Sequence, residues 1–163
     1  MNEMSKYAYM ENESPALKAD IKGSEVHPEI AGTVLVYWLP EGFYLQADLE
    51  GLPGSRVFGL HIHDGLVCAP VGSDEPFSEA GGHLNNCGEG TWCSQHPYHA
   101  GDLPSVFSDA EGNAAARVYI DRAQIEELSG KPIVIHGLPD DFKTQPSGNS
   151  GVRIACGILK EQI

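Results

Sequence analysis

The chain has 163 residues, a length within the range of one domain, and 41% of them are hydrophobic, as in ordinary globular proteins. Its formal net charge is −13, because 23 acidic residues outnumber 10 basic ones. The sequence has no cluster of Lys and Arg that could replace the counterions of a nucleic acid or attach the protein to an anionic membrane. We therefore expect neither nucleic acid nor a membrane as a partner.

The N-terminal segment and the cysteines disagree about the compartment. Residues 1–14 read MNEMSKYAYMENES, a polar and acidic run without the apolar stretch of a signal peptide or a membrane span. We therefore expect a cytoplasmic protein, or an exported one whose signal has been removed. The even set of four cysteines, Cys68, Cys87, Cys93 and Cys156, is instead typical of an oxidising compartment.

Strand patterns fill the first third of the chain. Leu17–Lys22 and Phe43–Leu49 alternate apolar and polar residues, which is typical of half-buried strands. Ala31–Leu39 is rich in β-branched and aromatic residues, and Arg56–His63 is predicted as a fourth strand. The stretch 64–100 differs, since it is rich in Gly and Pro and holds three cysteines and three histidines. A loop this long inside one domain is usually functional.

Strand patterns return after this loop. They cover Asp102–Phe107, Asn113–Ile120, Pro132–His136 and Arg153–Leu159, with a short helical turn predicted at Arg122–Leu128 and a second irregular loop at 137–151. About eight short strands without a long helix predict an all-β sandwich or barrel rather than a parallel α/β sheet. We expect a single domain over residues 1–163, with a poorly ordered extension at 1–15.

Six of the seven histidines lie near strand ends or in the long loops, and His27 stands alone and is predicted to be non-functional. His61 and His63 are two residues apart in a predicted strand, so their side chains point to one face. Two exposed histidines could also alternate there without binding anything. His136 ends an apolar strand, where a hydrogen-bonded core histidine is the alternative. His83 follows two glycines, which allow close approach of the backbone.

The segment from His96 to Asp102 is more specific. His96, His99 and Asp102 offer nitrogen and oxygen ligands that suit a small tetrahedral site with His83 as the fourth ligand, although a chance polar loop remains the alternative. Six nitrogen donors and one carboxylate are enough for two metals that share a ligand. A set of imidazoles suits copper, whereas three histidines and an aspartate suit zinc.

The motifs that contain these residues resemble those of the copper/zinc superoxide dismutase family, from about Leu17 to Leu159. The matching segments, in the family's order, are Gly59-Leu-His61-Ile-His63, Gly81-Gly-His83-Leu-Asn85, His99-Ala-Gly-Asp102-Leu, Ile135-His136-Gly-Leu-Pro-Asp140-Asp141 and Gly148-Asn-Ser-Gly-Val-Arg153-Ile-Ala-Cys156-Gly. The resemblance implies an eight-stranded Greek-key β-sandwich, or flattened barrel, of immunoglobulin-like type with two long functional loops.

The same resemblance implies one copper and one zinc ion per subunit. Copper would be held by His61, His63, His83 and His136, and zinc by His83, His96, His99 and Asp102. His83 would bridge the two ions as an imidazolate and take part in catalysis. Asp140 would accept hydrogen bonds from His61 and His96, Arg153 would dock superoxide, and Ser147 would narrow the channel.

The resemblance also implies a disulfide between Cys68 and Cys156. Cys87 and Cys93 are not part of the usual family pattern. We predict that they form a second disulfide inside the zinc loop, and the rival interpretation makes them additional thiolate ligands of a metal. The zinc loop is longer than usual, whereas His96 and His99 stand closer together than in the family.

The implied function is dismutation of superoxide to O2 and H2O2, with superoxide as the small-molecule substrate and a homodimer as a possible assembly. The alternative is a metal-binding module on the same fold that delivers or stores copper without turnover, because a fold alone does not fix a function. Retention of the four copper histidines together with Arg153 favours the enzyme. Loop 137–152 is short, and Lys143 is its only basic residue, so we expect weak steering of the substrate.

Overall fold

The computed structural model describes residues 13–70 and 75–163 of the chain, so most of the extension predicted at 1–15 lies outside the described residues. These residues form ten strands and three short 3-10 helices, without an α-helix. The strands are β1 Leu17–Gly23, β2 Ala31–Leu39, β3 Gly42–Glu50, β4 Val57–Phe58, β5 Leu60–Ile62, β6 Val106–Phe107, β7 Ala114–Ile120, β8 Pro132–His136, β9 Arg153–Ile158 and β10 Lys160–Glu161. The 3-10 helices are Ser78–Ala80, Trp92–Ser94 and Ile125–Glu127.

All strand pairs are antiparallel, and most of them belong to one sheet in the order β5-β8-β9-β1-β2-β3-β7, with β10 on β1. The remaining pair, β4 with β6, connects the two edges of this sheet. Only Gly59 separates β4 from β5, and a bridge from Ser108 to Ala114 follows β6 into β7. The sheet therefore curls into a flattened barrel.

The connections are those of a Greek key. β1, β2 and β3 follow one another as neighbours, whereas the chain then crosses to β5 at the opposite edge and returns to β7 beside β3. The predicted all-β Greek-key sandwich is confirmed. The predicted alternation in β1 is confirmed as well, since Leu17, Ala19 and Ile21 are buried and Asp20 is exposed.

Three predicted strands differ from the structure. Arg56–His63 is divided at Gly59, where the chain changes its pairing partner from β6 to β8, and a Cβ at this position would lie 2.8 Å from Ser150 Oγ. In the stretch Asp102–Phe107 only the last two residues belong to a strand, and Asp102 forms an isolated bridge with His61. The last strand ends at Ile158, because Leu159 bonds to the turn at 130–131 before β10 begins.

The part of the sheet formed by β5, β8 and β9 has different neighbours on its two faces. Leu60, Ile62, Ile133 and Ile135 face the main hydrophobic core. On the other face, Val134 and Cys156 pack with Phe77 and Ala80 from the long loop and with Cys68. His61 is directly opposite Val134 across the β5–β8 pair, so it lies on this outer face. These residues of the long loop therefore cover the face of the sheet on which His61 lies.

Within residues 13–70 and 75–163 we find no apolar helix of a length that could span a bilayer.

Candidate metal centre

Four histidines from three parts of the chain form a first ligand group. His61 lies in β5, His63 directly follows it, His136 ends β8, and His83 comes from the long loop, where it forms a bridge with His63. One ligand nitrogen of each lies within 4.8 Å of the others. The Nε2 atoms of His63 and His136 are 3.2 Å apart. The structure thus brings together all four residues that the resemblance assigns to copper.

A second ligand group surrounds the carboxylate of Asp102. Its oxygens lie 2.6 Å from Nδ1 of His83, 3.1 Å from Nδ1 of His96 and 2.9 Å from Nδ1 of His99. His61, His83, His96 and Asp102 also offer four ligand atoms within 4.8 Å of one another, a set that leaves out His99. The Nδ1 of His99 nevertheless reaches the same carboxylate, so the structure assembles the four residues assigned to zinc.

His83 belongs to both groups. Its Nδ1 faces Asp102, whereas its Nε2 is buried without a hydrogen-bond partner. Its ring is 4.0 Å from the ring of His61 and 4.9 Å from that of His63, measured between centroids. A single imidazole therefore offers one nitrogen to each group.

In four of the histidine rings, one of the two nitrogens is held by a hydrogen bond. Asp140 Oδ2 lies 2.8 Å from His61 Nε2, and Asp140 Oδ1 lies 2.8 Å from His96 Nε2. His63 Nδ1 donates to the carbonyl of Gly81 at 2.8 Å, and His99 Nε2 donates to the carbonyl of Ser94 at 3.1 Å. Such bonds fix both the orientation of a ring and the nitrogen that carries its proton. Asp140 links one residue of each group.

The ring nitrogens that have no hydrogen-bond partner indicate whether metal ions fit this cluster. Buried ring nitrogens without a hydrogen-bond partner are His61 Nδ1, His83 Nε2, His96 Nδ1, His99 Nδ1 and His136 Nδ1. A buried polar atom without a partner is costly, and most proteins avoid it. In His61, His96 and His99 the other nitrogen is already hydrogen-bonded, so the free Nδ1 is available as a ligand. The donor set fits copper and zinc.

Burial keeps His63, His83 and His136 in the neutral form that metal binding requires. It lowers the pKa of His63 to about 2 and that of His83 to about 4, and it lowers the pKa of His136 well below its usual value. For Asp102, burial opposes ionisation, but the hydrogen bond from His83 and the nearby histidines leave its pKa lowered. Neutral imidazoles and an ionised carboxylate are the forms that bind metal ions.

The metal-free protein is therefore expected to lose stability in acid. The unfolded chain binds protons below about pH 6.5, whereas His63 and His83 in the fold resist protonation down to about pH 2 and about pH 4. Stability present at neutral pH is lost as the pH falls, by about 2 kcal/mol at pH 5 for each such histidine. Urea unfolding of metal-free protein at pH 7 and pH 5 measures this loss. A His63→Gln variant should show a smaller loss, and equal free energies of unfolding at the two pH values would contradict the prediction.

The Asp140 carboxylate is itself held in place. Burial alone would raise its pKa, but hydrogen bonds from His61, the backbone N–H of Phe142 and His96 lower the pKa to about 2. Gly148 lies against it with a left-handed φ of 68°, where a Cβ would overlap the carboxylate and lie 2.7 Å from His96 Nε2. Loop 137–152 therefore needs glycine at this position to bring Asp140 to both rings.

Arg153 lies at the start of β9, half-buried beside the first group. Its guanidinium donates to the carbonyl of Phe77 at 2.7 Å and to the carbonyl of Gly81 at 2.6 Å. The Gly81 carbonyl also accepts from His63, so one backbone oxygen joins Arg153 to a ligand of the first group. Ser147 lies half-buried in loop 137–152, where its carbonyl accepts from Ser150 Oγ.

Two disulfides join the four cysteines. Cys68–Cys156 ties the long loop to β9, and Cys87–Cys93 closes a short loop between His83 and His96. The predicted second disulfide is present. Because the sulfurs of Cys87 and Cys93 are bonded to each other, neither is free to act as a thiolate ligand, and the rival interpretation is wrong.

Two features of the site could not be predicted from the sequence. The carbonyl of Gly81, which accepts from His63 and Arg153, is a backbone group, so no residue type in the sequence indicates its role. Gln145 bonds to both backbone groups of His96, but a single glutamine in an irregular loop carries no motif.

Comparison with known proteins gives one consistent result. A family model described as copper/zinc superoxide dismutase matches residues 30–159. Cu-Zn superoxide dismutase 2 of Aquifex aeolicus is 32% identical over 157 residues, which cover 90% of this chain and 89% of that protein. The Cu-Zn superoxide dismutase of Caulobacter vibrioides is 35% identical over 142 residues, 80% of this chain and 78% of that protein. The solved structure of the Cu/Zn superoxide dismutase from Brucella abortus superposes with a TM-score of 0.73 at 25% identity, covering 88% of this chain and 98% of that one.

Proposed function

This chain belongs to the copper/zinc superoxide dismutase family, and from that premise we propose that its six clustered histidines and Asp102 hold the two metal ions of the enzyme. The protein is a superoxide dismutase that uses copper and zinc. It converts two superoxide anions and two protons into O2 and H2O2. No observation favours the delivery or storage module.

The observation that carries the ligand assignment is the position of His83. It is a member of both ligand groups, its Nδ1 faces Asp102, and its Nε2 is buried without a partner. Copper would be held by His61, His63, His83 and His136, and zinc by His83, His96, His99 and Asp102. The free nitrogens and the lowered pKa values of the buried histidines support this assignment.

When bound, copper would supply the redox chemistry of the two half-reactions, and zinc would supply a redox-inert divalent charge. The protein orients the ligands and controls which atoms carry protons. Asp140 keeps a proton on Nε2 of His61 and of His96, and so presents Nδ1 of each ring as the ligand. With Nδ1 facing Asp102, Nε2 of His83 would be the atom that takes up a proton and passes it to the reduced product whenever no metal ion is bound to it.

Arg153 is proposed to bind the superoxide anion. Two of its donors are used by the carbonyls of Phe77 and Gly81, which fix the guanidinium beside the first ligand group. A guanidinium has five N–H donors, so the remaining ones can bind an anion. In a chain of net charge −13 this fixed positive group offsets the unfavourable background for an anionic substrate. Ser147 is proposed to narrow the approach to it.

The remaining assignments extend the same proposal. A single domain over residues 1–163 is supported by the family match at 30–159 and by strands that run from Leu17 to Glu161. Two disulfides support an oxidising compartment, and therefore the exported alternative. The excess of acidic residues supports the absence of nucleic-acid and membrane partners. A homodimer is part of the proposal, and sedimentation of the metal-loaded protein tests it.

The function is tested with protein loaded with one copper and one zinc per chain. Its superoxide consumption, followed by stopped flow, should be fast, and metal-free protein should give only the spontaneous rate. Arg153→Ala should bind both metals but react about 10- to 100-fold more slowly, because it loses a charge-assisted interaction worth about 1.5–3 kcal/mol. Metal-loaded protein that does not exceed the spontaneous rate would leave only the metal-binding alternative.

A further inference from the structure

Gln145 joins the two loops of the metal centre through its side-chain amide. Its Oε1 accepts from the backbone N–H of His96 at 2.9 Å, and its Nε2 donates to the backbone carbonyl of His96 at 2.6 Å. One amide therefore pairs with both backbone groups of a single residue, as a neighbouring strand would. Loop 137–152 is thereby hydrogen-bonded to the segment that carries His96.

His96 needs such a partner because of where it lies in the chain. It follows the 3-10 helix Trp92–Ser94 and lies outside every helix and strand of residues 13–70 and 75–163. Its side chain is nevertheless buried, with 2% of the residue exposed. A buried side chain on an irregular segment has no regular ladder to fix its backbone, so side-chain hydrogen bonds must do so.

Loop 137–152 holds His96 at two separate points. Asp140 accepts from Nε2 of the ring at 2.8 Å, and Gln145 bonds to the backbone. With the ring edge and the backbone both fixed, the remaining ring atom Nδ1 is brought to 3.1 Å from Asp102. Gln145 itself is exposed, so its contribution lies in its hydrogen bonds rather than in packing. Besides the two bonds to His96, its Nε2 donates to the carbonyl of Lys143 at 3.3 Å, within the same loop.

We propose that Gln145 is a positioning residue of the zinc site, which sets the place of His96 Nδ1 through the His96 backbone and so raises the affinity for zinc. The inference rests on the proposed function, because it takes His96 as a zinc ligand. Residues outside the ligand shell that orient a ligand typically change metal affinity by about 10- to 100-fold when they are replaced.

The test uses two variants and a matched control. Gln145→Ala removes the side chain, whereas Gln145→Met keeps its length and removes all of its hydrogen bonds. Gln95→Ala removes an exposed amide directly before His96, for which the structure shows no side-chain hydrogen bond. Zinc affinity is measured on copper-free protein by competition with a chromophoric chelator. The visible absorption of Co2+ placed in the same site reports the ligand geometry.

Both Gln145 variants should bind zinc about 10- to 100-fold more weakly and change the Co2+ spectrum. Gln95→Ala should match the wild type, and urea unfolding of the metal-free protein should show a cooperative transition for all four proteins, so that weaker zinc binding does not come from a failure to fold. Unchanged zinc affinity in Gln145→Ala and Gln145→Met, or recovery in Gln145→Met alone, would overturn the inference while leaving the proposed function intact. A wild type that binds no zinc would overturn both.

Discussion

Replacing His136 with alanine is expected to lower superoxide consumption by the metal-loaded protein at least about 100-fold. His136 lies at the end of β8, is 3% exposed, and faces His63 with the two Nε2 atoms 3.2 Å apart. Its removal leaves three histidines around the proposed copper ion and opens one side of the site. Because redox chemistry depends on the metal, loss of a copper ligand affects the rate more than loss of a residue that only orients a ligand.

The His136→Ala variant should also hold less than one copper per chain, whereas its zinc content should stay near one. His27→Ala is the matched control, because His27 lies outside both ligand groups, with its nearest ion-pair partner Glu29 at 3.5 Å. Superoxide consumption and metal content are measured on the same preparations. A His136→Ala protein with wild-type activity would show that the first ligand group is not the site of the reaction.

Removing the Cys68–Cys156 disulfide is expected to lower the free energy of unfolding by about 4–5 kcal/mol. The two residues are 88 positions apart, so the bond restricts a large part of the unfolded chain. The double variant Cys68→Ser with Cys156→Ser isolates this effect. Cys156 is 2% exposed and packs with Phe77 and Val134, so a buried serine hydroxyl would add to the cost.

The second disulfide supplies an internal comparison. Cys87 and Cys93 are six positions apart, and the same chain-entropy relation gives about 2 kcal/mol for their loop. Urea unfolding of metal-free protein, with the Cys87→Ser and Cys93→Ser pair beside the first double variant, measures the difference. Equal losses from the two pairs would contradict the prediction.

The strands that alternate strictly were predictable from the sequence. In β1 and β3 every second residue faces the core, and the hydrophobic effect alone fixes which face is buried. The division of Arg56–His63 at Gly59 was not predictable, because it depends on which strands pair with the chain, β6 before Gly59 and β8 after it. A local pattern contains no information about a neighbour that tertiary folding brings to it.

The residues proposed as ligands were predictable for a similar reason. His61 and His63 share one face because a strand has a period of two, and His96, His99 and Asp102 are close enough in sequence to be recognised as one segment. Their hydrogen-bond partners were harder to predict. Asp140 came from its place after His136 in a family motif, whereas Gln145 and the Gly81 carbonyl belong to no motif.

By itself, the sequence determined the all-β class, the residue types of two metal sites and the acidic charge, because these follow from composition, local periodicity and short spacings. The tertiary structure decided between the disulfide and the thiolate-ligand interpretations of Cys87 and Cys93, placed His83 in both ligand groups as the resemblance implied, and brought Gln145 to the backbone of His96. These are contacts between segments far apart in the chain or inside an irregular loop. Their geometry depends on how the long loop packs over the outer face of β5, β8 and β9, which no local rule specifies.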